Sequence, residues 1–513
     1  METTMITGSK RGITIAVMAA ALMAILDISI VNVAISDIRA SFGTPIDQIA
    51  WVSTGYMMAN VVVIPITGWL QRRFGFRNYF TFSIGLFLVA SLLCGIAWNL
   101  PVLVLFRVLQ GMGGGAIIPT AQSILFARYP QKEHGMAGAL FGLGAVTGPL
   151  LGPTLGGYLI DVASWHWIFL INLPVGIFAA WMSWKHIEEP KFVAQKAPMD
   201  RWGLALLVVG MGSLQYVLEE GNREGWFDSH LIIVLSCMAA VALITFGVHE
   251  LEVKNPIVDL RVFANRSYSA ATGINFLLGT ALFSASFLFA LYCGAVMHYK
   301  AMDIGLIFLK GSFIQILLMP MIGRFGNRVD GRYLVLFGVS VLTTSLYLNT
   351  FLTQLSSFND LVFPVFVRSI GLGFIFVPLS VFALSGLPPA QRGNGAGLFN
   401  LTRELGGSIG TAFMSTVLSR NQTRSYAYLT EHVSRYSEAT LQRIDAMTRG
   451  LGSRLWDGPA GVLEILRFRL NEQSLLIAFK NCFTGITILF AVSLLLVFFL
   501  KRPTETGDIH GAH

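Results

Sequence analysis

Two acidic side chains lie inside long apolar stretches of this sequence, where an ionised carboxylate is costly. Asp27 is midway along ALMAILDISIVNVAI, and Glu404 follows Arg403 in NLTRELGGSIG. A charged side chain at the centre of a hydrocarbon layer costs about 2.5 to 3.5 kcal/mol, and desolvation favours the neutral acid. Either carboxyl could therefore load and release a proton. Alternatively, Asp27 caps or bonds a neighbouring helix, and Glu404 forms an inert ion pair with a neighbouring arginine.

Arg107 is a third charge in an apolar stretch. Gln110, Gly111 and Gly114 follow it at spacings that place all four residues on one face of a helix. Because arginine stays protonated, two roles are open. Arg107 either holds a packed helix contact or biases the protonation of a nearby carboxylate such as Asp27.

Several further polar and aromatic residues in apolar stretches are candidates to line a cavity. Asn400 and Arg403 precede Glu404 at helical spacing and predict a polar stripe. Lys310, in GLIFLKGSFIQILLM, either snorkels outward or recognises an anionic or amphipathic cargo, and we favour the cavity-facing orientation. The remaining candidate cavity-lining residues are Tyr56, Asn60, Asn275, Phe276 and Tyr292.

Small residues recur in the stretch GAVTGPLLGPTLGGYL. Gly148, Gly152 and Gly156 are four residues apart, and Pro149 and Pro153 stand beside the first two. Glycine lets helix backbones approach closely, and proline kinks a helix. The stretch therefore predicts a helix that bends against its partner during a conformational change.

A repeated frame shows which elements must position these residues. The pattern Pro-x-x-Gly-x-x-x-x-Arg-x-x-x-Arg occurs as PITGWLQRRFGFR at 65–77 and as PMIGRFGNRVDGR at 320–332. FRVLQGMGGGAIIP around Arg107 is echoed by VRSIGLGFIFVP around Arg368. The chain therefore contains two related halves, the arrangement in which transporters place a site at the interface between repeats.

Composition places these halves in a membrane. Of 513 residues, 54% are hydrophobic and 12% are charged, with a mean hydropathy of +0.65, which is too apolar for a soluble protein. Stretches long enough to span a bilayer as helices number fourteen. They lie near 12–36, 50–71, 79–98, 102–126, 136–159, 166–185, 202–219, 231–250, 270–296, 303–323, 333–353, 362–386, 394–418 and 479–500.

The basic residues orient these spans. With the N-terminus in the cytoplasm, the inner segments carry twenty Lys and Arg and the short outer loops carry three, as the positive-inside rule requires. Both termini are then cytoplasmic. We predict an all-α fold with a six-helix bundle at 1–185, a linker with two inserted helices at 186–266, and a second six-helix bundle at 267–513. The polar segment 419–478 lies outside, either as a solvated helical cap or as a docking surface.

Other classes of protein are disfavoured. The formal charge of +8 and the pI of 9.3 suggest nucleic acid, but the basic residues are confined to inner loops, as expected beside an anionic leaflet. The sequence shows no cleavable signal peptide. Its four cysteines lack the spacing of disulfides or metal ligands. A receptor or an embedded enzyme is disfavoured because no metal cluster, phosphate loop or nucleophile triad is evident, and we expect no cofactor.

These motifs resemble those of the major facilitator superfamily, specifically its fourteen-span drug:proton antiporters of the EmrB/QacA group. LDISIVNVA resembles the group's first-helix motif, FRVLQGMGGG its fourth-helix arginine motif, and GAVTGPLLGPTLGGYL the antiporter motif of helix five. WHWIFLINLPVG and KNPIVDL add group-specific support. GWLQRRFGFR resembles the superfamily loop signature, which includes Gly68, Arg73 and Arg77, but Arg72 stands where that signature usually has Asp. A gating salt bridge that depends on that Asp cannot be transferred to this chain.

The resemblance implies an exporter of the bacterial inner membrane that exchanges an incoming proton for an outgoing lipophilic or amphipathic compound. Asp27 and Arg107 match the family's functional acid and arginine, and Glu404 is the second proton candidate. The resemblance also implies an EmrA-like periplasmic adaptor and a TolC-like outer-membrane channel, for which 419–478 is the candidate contact. The alternative is a dedicated exporter of one metabolite, such as a fatty acid or a siderophore, in which Lys310 recognises a carboxylate.

Overall fold

The computed structural model describes residues 6–189, 199–325, 329–433 and 459–500, together with residues 438, 441, 442, 445 and 446. Long helices account for most of these residues. The helices are α1 Lys10–Phe42, α2 Trp51–Phe74, α3 Phe76–Gly95, α4 Leu100–Arg128, α5 His134–Val162, α6 Asn172–His186, α7 Arg201–Glu220, α8 His230–Glu252, α9 Arg266–Ala295, α10 Ala301–Phe325, α11 Gly331–Leu348, α12 Phe358–Leu384, α13 Arg392–His432 and α14 Pro459–Ala491. Short helices at Trp167–Leu170 and Ser493–Val497 flank α6 and α14.

Polar side chains at the helix starts explain several of these boundaries. Asn99 accepts a hydrogen bond from the Val102 amide at the start of α4, and Asp200 accepts one from the Gly203 amide at the start of α7. Ser357 forms a reciprocal capping box with Asp360 at the start of α12. These bonds satisfy amide groups that have no partner within the helix, so these three helices begin where the sequence supplies a short polar side chain.

Each predicted span coincides with one of the helices. Within the described residues, eleven helices are long and apolar enough to cross a membrane. The helices at three predicted spans, α2, α5 and α13, are not among those eleven. The structure therefore establishes an all-helical, multi-span architecture, and the count of fourteen crossings stays a prediction.

The packing of the helices repeats along the chain. In the first half α1 packs against α5 and α6, α2 against α4, and α3 against α4. In the second half α9 packs against α13 and α14, α10 against α12, and α11 against α12. The same order of contacts is thus present twice, as the repeated sequence frame predicts. The two halves meet where α5 packs against α10 and where α2 packs against α13.

Helices α7 and α8 lie between the halves in sequence and pack against each other. Helix α7 also contacts α2 and α13, one helix from each half. The inserted pair therefore lies beside the α2–α13 contact.

The polar segment 419–478 is helical at both of its ends. Helix α13 continues to His432 and α14 begins at Pro459, so both helices extend into this segment. Sequence explains the extension of α13, because no glycine or proline interrupts 411–432. Most of the residues between these two helices lie outside the described part of the chain, so the predicted helical cap stays a prediction.

Candidate functional site

Asp27 and Arg107 form an ion pair inside the first half of the molecule. Arg107 Nη1 on α4 lies 2.6 Å from Asp27 Oδ2 on α1, and the two side chains are 2% and 0% exposed. Of the two roles open for Arg107, the structure shows direct contact with the carboxylate. An isolated charge at such depth is strongly disfavoured, so each residue compensates the charge of the other.

Three neutral side chains complete the surroundings of this carboxylate. Gln110 Nε2 and Asn172 Nδ2 donate to Asp27 Oδ1 at 2.8 and 2.7 Å. Both amides also donate to Ser91 Oγ, at 3.1 and 3.0 Å. We refer to these residues as the Asp27 network: Asp27, Ser91, Arg107, Gln110 and Asn172. An ionised carboxylate can accept all three donors, whereas a protonated carboxyl gives up acceptor capacity.

The Arg107 side chain makes further contacts with α2 and with its own helix. Its Nε donates to the Val52 carbonyl at 3.1 Å, and its Nη1 also donates to Gln110 Oε1 at 2.7 Å. Its guanidinium lies 4.3 Å from the centre of the Tyr56 ring. An arginine with three hydrogen bonds over an aromatic face is well fixed in position, so the network is organised before any ligand binds.

Glycines bring the surrounding helices close to the Asp27 network. A Cβ atom at Gly148, Gly152 or Gly156 of α5 would collide with α1. The α1 residues involved are Ile25, Ser29 and Ile30, which flank Asp27 in sequence. The glycine repeat therefore packs α5 against α1 at the level of the buried acid. The side chains of Pro149 and Pro153 lie outside the described residues.

Tyr56 and Asn60 lie on the face of α2 that packs against α4. Gly111 and Gly114 of α4 face Tyr56, and Gly115 faces Asn60. Both side chains are buried, and neither Tyr56 OH nor Asn60 Oδ1 has a hydrogen-bond partner within the described part of the chain. A buried polar atom without a partner is costly, so these two atoms are candidates for a ligand or water contact.

The two halves are joined on the side of the molecule where α1 begins and α4 ends. We call this the basic side, and Lys10, Arg72, Arg128 and Arg392 mark it. Asn400 Nδ2 on α13 donates to Gln122 Oε1 on α4 at 2.6 Å. His134 Nδ1 at the start of α5 lies 2.8 Å from Ser385 Oγ after α12. These hydrogen bonds cross the interface between the halves.

Close contacts at two glycines also hold the two halves together on the basic side. A Cβ atom at Gly68 would collide with the Asn394 backbone, and one at Gly393 with the amide oxygen of Gln71. Gln71 in turn donates to Thr120 Oγ1 at 3.1 Å. The repeated loop frame therefore lies directly against the start of α13, and the interface is closed on the basic side.

Arg72, which replaces the usual Asp of the loop signature, has an acidic neighbour from another segment. Asp259 of the KNPIVDL stretch lies within electrostatic range of Arg72. The Asp259 amide donates to Asn394 Oδ1 at 3.2 Å, and its carbonyl accepts from Asn394 Nδ2 at 2.8 Å. The negative charge at this contact thus comes from the segment that precedes α9, on the opposite side of the interface.

The other loop residues lie on the basic side. Arg77 stacks on Trp184 at 4.0 Å from the ring centre, and the Arg77 amide donates to Glu189 Oε2 at 3.0 Å. Arg73 is partly buried at the end of α2. Arg77 therefore joins the loop signature to the end of α6.

The polar stripe of α13 begins at the interface and continues towards the opposite side. Arg403 Nη2 donates to Asn400 Oδ1 at 2.9 Å, and the guanidinium lies 5.7 Å from the centre of the Phe376 ring. Glu404 is partly buried and forms no ion pair within the described residues. The pair with a neighbouring arginine that its sequence allows is therefore not formed in this conformation.

The remaining candidates lie in the second half. Asn275 Nδ2 donates to the Phe399 carbonyl at 2.6 Å, and Tyr292 OH donates to the Thr353 carbonyl at 2.7 Å. Phe276 is partly buried on the same helix. These contacts are internal to the second half, and a role in cargo binding stays a prediction for all three.

Lys310 lies on α10 beside the start of α12. It is exposed, and its ammonium lies 4.9 Å from the ring centre of Phe358, at the start of α12 and away from the basic side. Its role in recognising cargo also stays a prediction.

Sequence reasoning missed Ser91 and Asn172 of the Asp27 network, and Gln122 at the interface. Each is a single neutral polar residue in an apolar stretch, which is only weak evidence for a functional role. Asn172 lies within WHWIFLINLPVG, so the group-specific motif marked its neighbourhood without assigning a role.

The fold and the buried network define a membrane transporter. Residues 17–411 match the family described as the Major Facilitator Superfamily, and the chain belongs to this family. A solved structure described as the human organic anion transporter MFSD10 (TETRAN) has the same fold. Its TM-score is 0.62 at 13% sequence identity, over 95% of this chain and 99% of that one.

Within the family, the chain is similar to bacterial export proteins. It is 35% identical to the multidrug export protein EmrB of Haemophilus influenzae over 96% of both chains. It is 34% identical to EmrB of Escherichia coli K12, over 96% of both chains. It is also 35% identical to the fatty acid resistance protein FarB of Neisseria gonorrhoeae, over 98% of this chain and 97% of that one. The resemblance to EmrB-type multidrug exporters is thereby confirmed.

Proposed function

We propose that this transporter is a proton-coupled exporter of lipophilic or amphipathic compounds that works by alternating access between two six-helix bundles. The observation that carries the proposal is the Asp27–Arg107 pair. A buried carboxylate with three donors is a group whose protonation breaks one packing arrangement and permits another. Glu404 is the second candidate for proton binding.

The closed interface on the basic side supports alternating access. Gln122, Asn400 and the glycines Gly68 and Gly393 form one closed state. Protonation of Asp27 would release Arg107 and disturb the packing of α1 against α4 and α5, which links the titration of the acid to the position of these helices. No resident cofactor takes part in this mechanism, and the proton gradient supplies the energy.

The proposed setting is the bacterial inner membrane, with fourteen spans and both termini in the cytoplasm. The basic side then faces the cytoplasm, as the positive-inside rule expects. The extended ends of α13 and α14 lie on the periplasmic side, where Gln422 Nε2 donates to Asn471 Oδ1 at 3.1 Å.

The extended helix ends are also the proposed contact for an EmrA-like adaptor that leads to a TolC-like channel. A groove of about 730 Å³ between them offers both charged and aromatic side chains. Its lining residues are Ser419, Gln422, Thr423, Tyr426, Glu464, Arg467, Phe468 and Asn471.

A dedicated exporter of one metabolite is the second candidate. The similarity to FarB, equal in identity to that to EmrB of Haemophilus influenzae, favours a fatty acid as the cargo of such a pump. Its charged headgroup would require a cation, and Lys310 is the candidate.

Transport by purified protein in liposomes tests both candidates. A multidrug exporter would move ethidium when a pH gradient is imposed, and an excess of unrelated lipophilic cations would compete. A dedicated exporter would move oleate and ignore the cations. Transport of either probe at a rate independent of the gradient would refute proton coupling.

A further inference from the structure

The inserted helix α7 contributes a carboxylate that lies close to Glu404. Gln215 Nε2 on α7 donates to Glu219 Oε1 at 2.9 Å and to Ser408 Oγ on α13 at 3.1 Å. Ser408 follows Glu404 by one helical turn. Glu219 and Glu404 are thereby brought within electrostatic range of each other.

This cluster has more hydrogen-bond acceptors than donors. Gln215 is fully buried, and its Oε1 has no partner in the described residues. Neither Glu219 nor Glu404 forms an ion pair with a described residue. A buried amide oxygen requires a donor, and a proton on a nearby carboxyl is the donor that this acidic cluster can supply.

The charged groups that face the cluster do not neutralise both acids. On α13 itself Arg403 is within electrostatic range of Glu404, and its guanidinium donates a hydrogen bond to Asn400. One arginine can offset the charge of only one of the two carboxylates. On α7, Glu220 adjoins Glu219 and is paired with Arg223 at 2.8 Å.

Tyr56, on α2, lies within electrostatic range of both Glu404 and the Asp27 network. It is within range of Asp27, Arg107 and Glu404. Glu404 therefore lies near the Asp27 network without belonging to it.

The differences in burial among these residues suggest the direction in which a proton would enter. Glu219 is exposed near the end of α7 that lies away from the basic side, Gln215 is buried one turn below it, and Glu404 is partly buried farther in. We propose that Glu219, Gln215, Ser408 and Glu404 form a proton access path between the inserted hairpin and the second half. This inference rests on the proposed proton coupling and assigns the hairpin a role in it.

The transfer along this path is simple. Glu219 takes a proton from water at the outer end, and the proton then moves to the Glu404 carboxylate, which leaves Glu219 ionised again. The Ser408 hydroxyl, which accepts from Gln215 Nε2, can also donate, and it stands one helical turn from Glu404 on α13. Gln215 positions Glu219 and does not itself change protonation.

Infrared titration of the purified protein tests the path without any transport substrate. The carbonyl band of protonated carboxyls is measured as the pH is lowered, in wild type, Glu219→Gln and Glu404→Gln. If the two acids titrate as a coupled pair, each substitution removes about half of the band that the pair contributes. Glu224→Gln, a change at an exposed position on the same hairpin, should remove only its own carboxyl and leave the pair's share of the band unchanged. Glu404→Asp, with a displaced band, replaces Glu404→Gln if that variant does not fold.

A band that neither substitution alters would overturn the inference. If both variants then also lose tetraphenylphosphonium binding, the pair is a recognition site for organic cations instead. Failure of the proposed function is distinguishable, because wild type would then show the band but no transport driven by a pH gradient.

Discussion

Replacement of Arg107 by leucine tests the energetics of the Asp27 network. Arg107→Leu leaves Asp27 buried and without its cation, and it also removes the donor to the Val52 carbonyl. Loss of one partner of a buried ion pair costs about 3 to 5 kcal/mol. That corresponds to a factor of about 150 to 5,000 in the unfolding equilibrium.

The penalty should depend on the second partner and on pH. Asp27→Asn in the Arg107→Leu background removes the stranded charge, so we expect the double variant to regain at least about 2 kcal/mol of the loss. In the single variant, Asp27 can become neutral by taking a proton. The destabilisation should therefore shrink as the pH is lowered.

The assay is equilibrium unfolding in detergent micelles, followed by circular dichroism. Arg39→Leu is the control, because Arg39 is exposed and forms no ion pair among the described residues, and its effect should stay within about 0.5 kcal/mol. The reasoning is refuted if Arg107→Leu costs no more than the control. It is equally refuted if Asp27→Asn fails to restore stability in the double variant.

Three further substitutions test the packing around the network and at the interface. Gly152→Val should abolish transport because its side chain would collide with Ser29, whereas Gly157→Val, with open space around it, should retain activity; transport of ethidium in liposomes compares them. Gly68→Val should prevent closure on the basic side and raise the labelling rate of a cysteine placed in the interface, and an unchanged rate would contradict the assigned contact. Gln122→Leu removes the acceptor of a 2.6 Å hydrogen bond between the halves, at about 1 to 3 kcal/mol, and should raise the same labelling rate without loss of folding.

Much of the fold follows from the sequence, because an apolar stretch long enough to span a bilayer strongly indicates a helix. Every predicted span coincides with a helix, and the repeated loop frame predicted the repeated packing order. The sequence leaves two roles open for Arg107, and an interaction with Asp27 is one of them. It is expected because two opposite charges in hydrocarbon have few other ways to be compensated.

The finer parts of the site could not be predicted. Asn172 lies 145 residues from Asp27 in sequence, and a single amide in an apolar stretch gives no indication of its partner. The acid that faces Arg72 comes from a segment outside the loop signature, which no local pattern reveals. Cooperation between Glu219 and Glu404 depends on how α7 packs against the second half, and inserted helices have no counterpart in the repeat from which to infer that packing.

The most direct test of the account is proton movement coupled to cargo in liposomes that contain wild type or Asp27→Asn, with ethidium as cargo and a pH-sensitive dye enclosed. We predict that an ethidium gradient drives a proton flux in the opposite direction through wild type. Asp27→Asn should still bind ethidium and should abolish that flux. Movement of ethidium through wild type without any proton flux, or an undiminished flux in Asp27→Asn, would contradict the account.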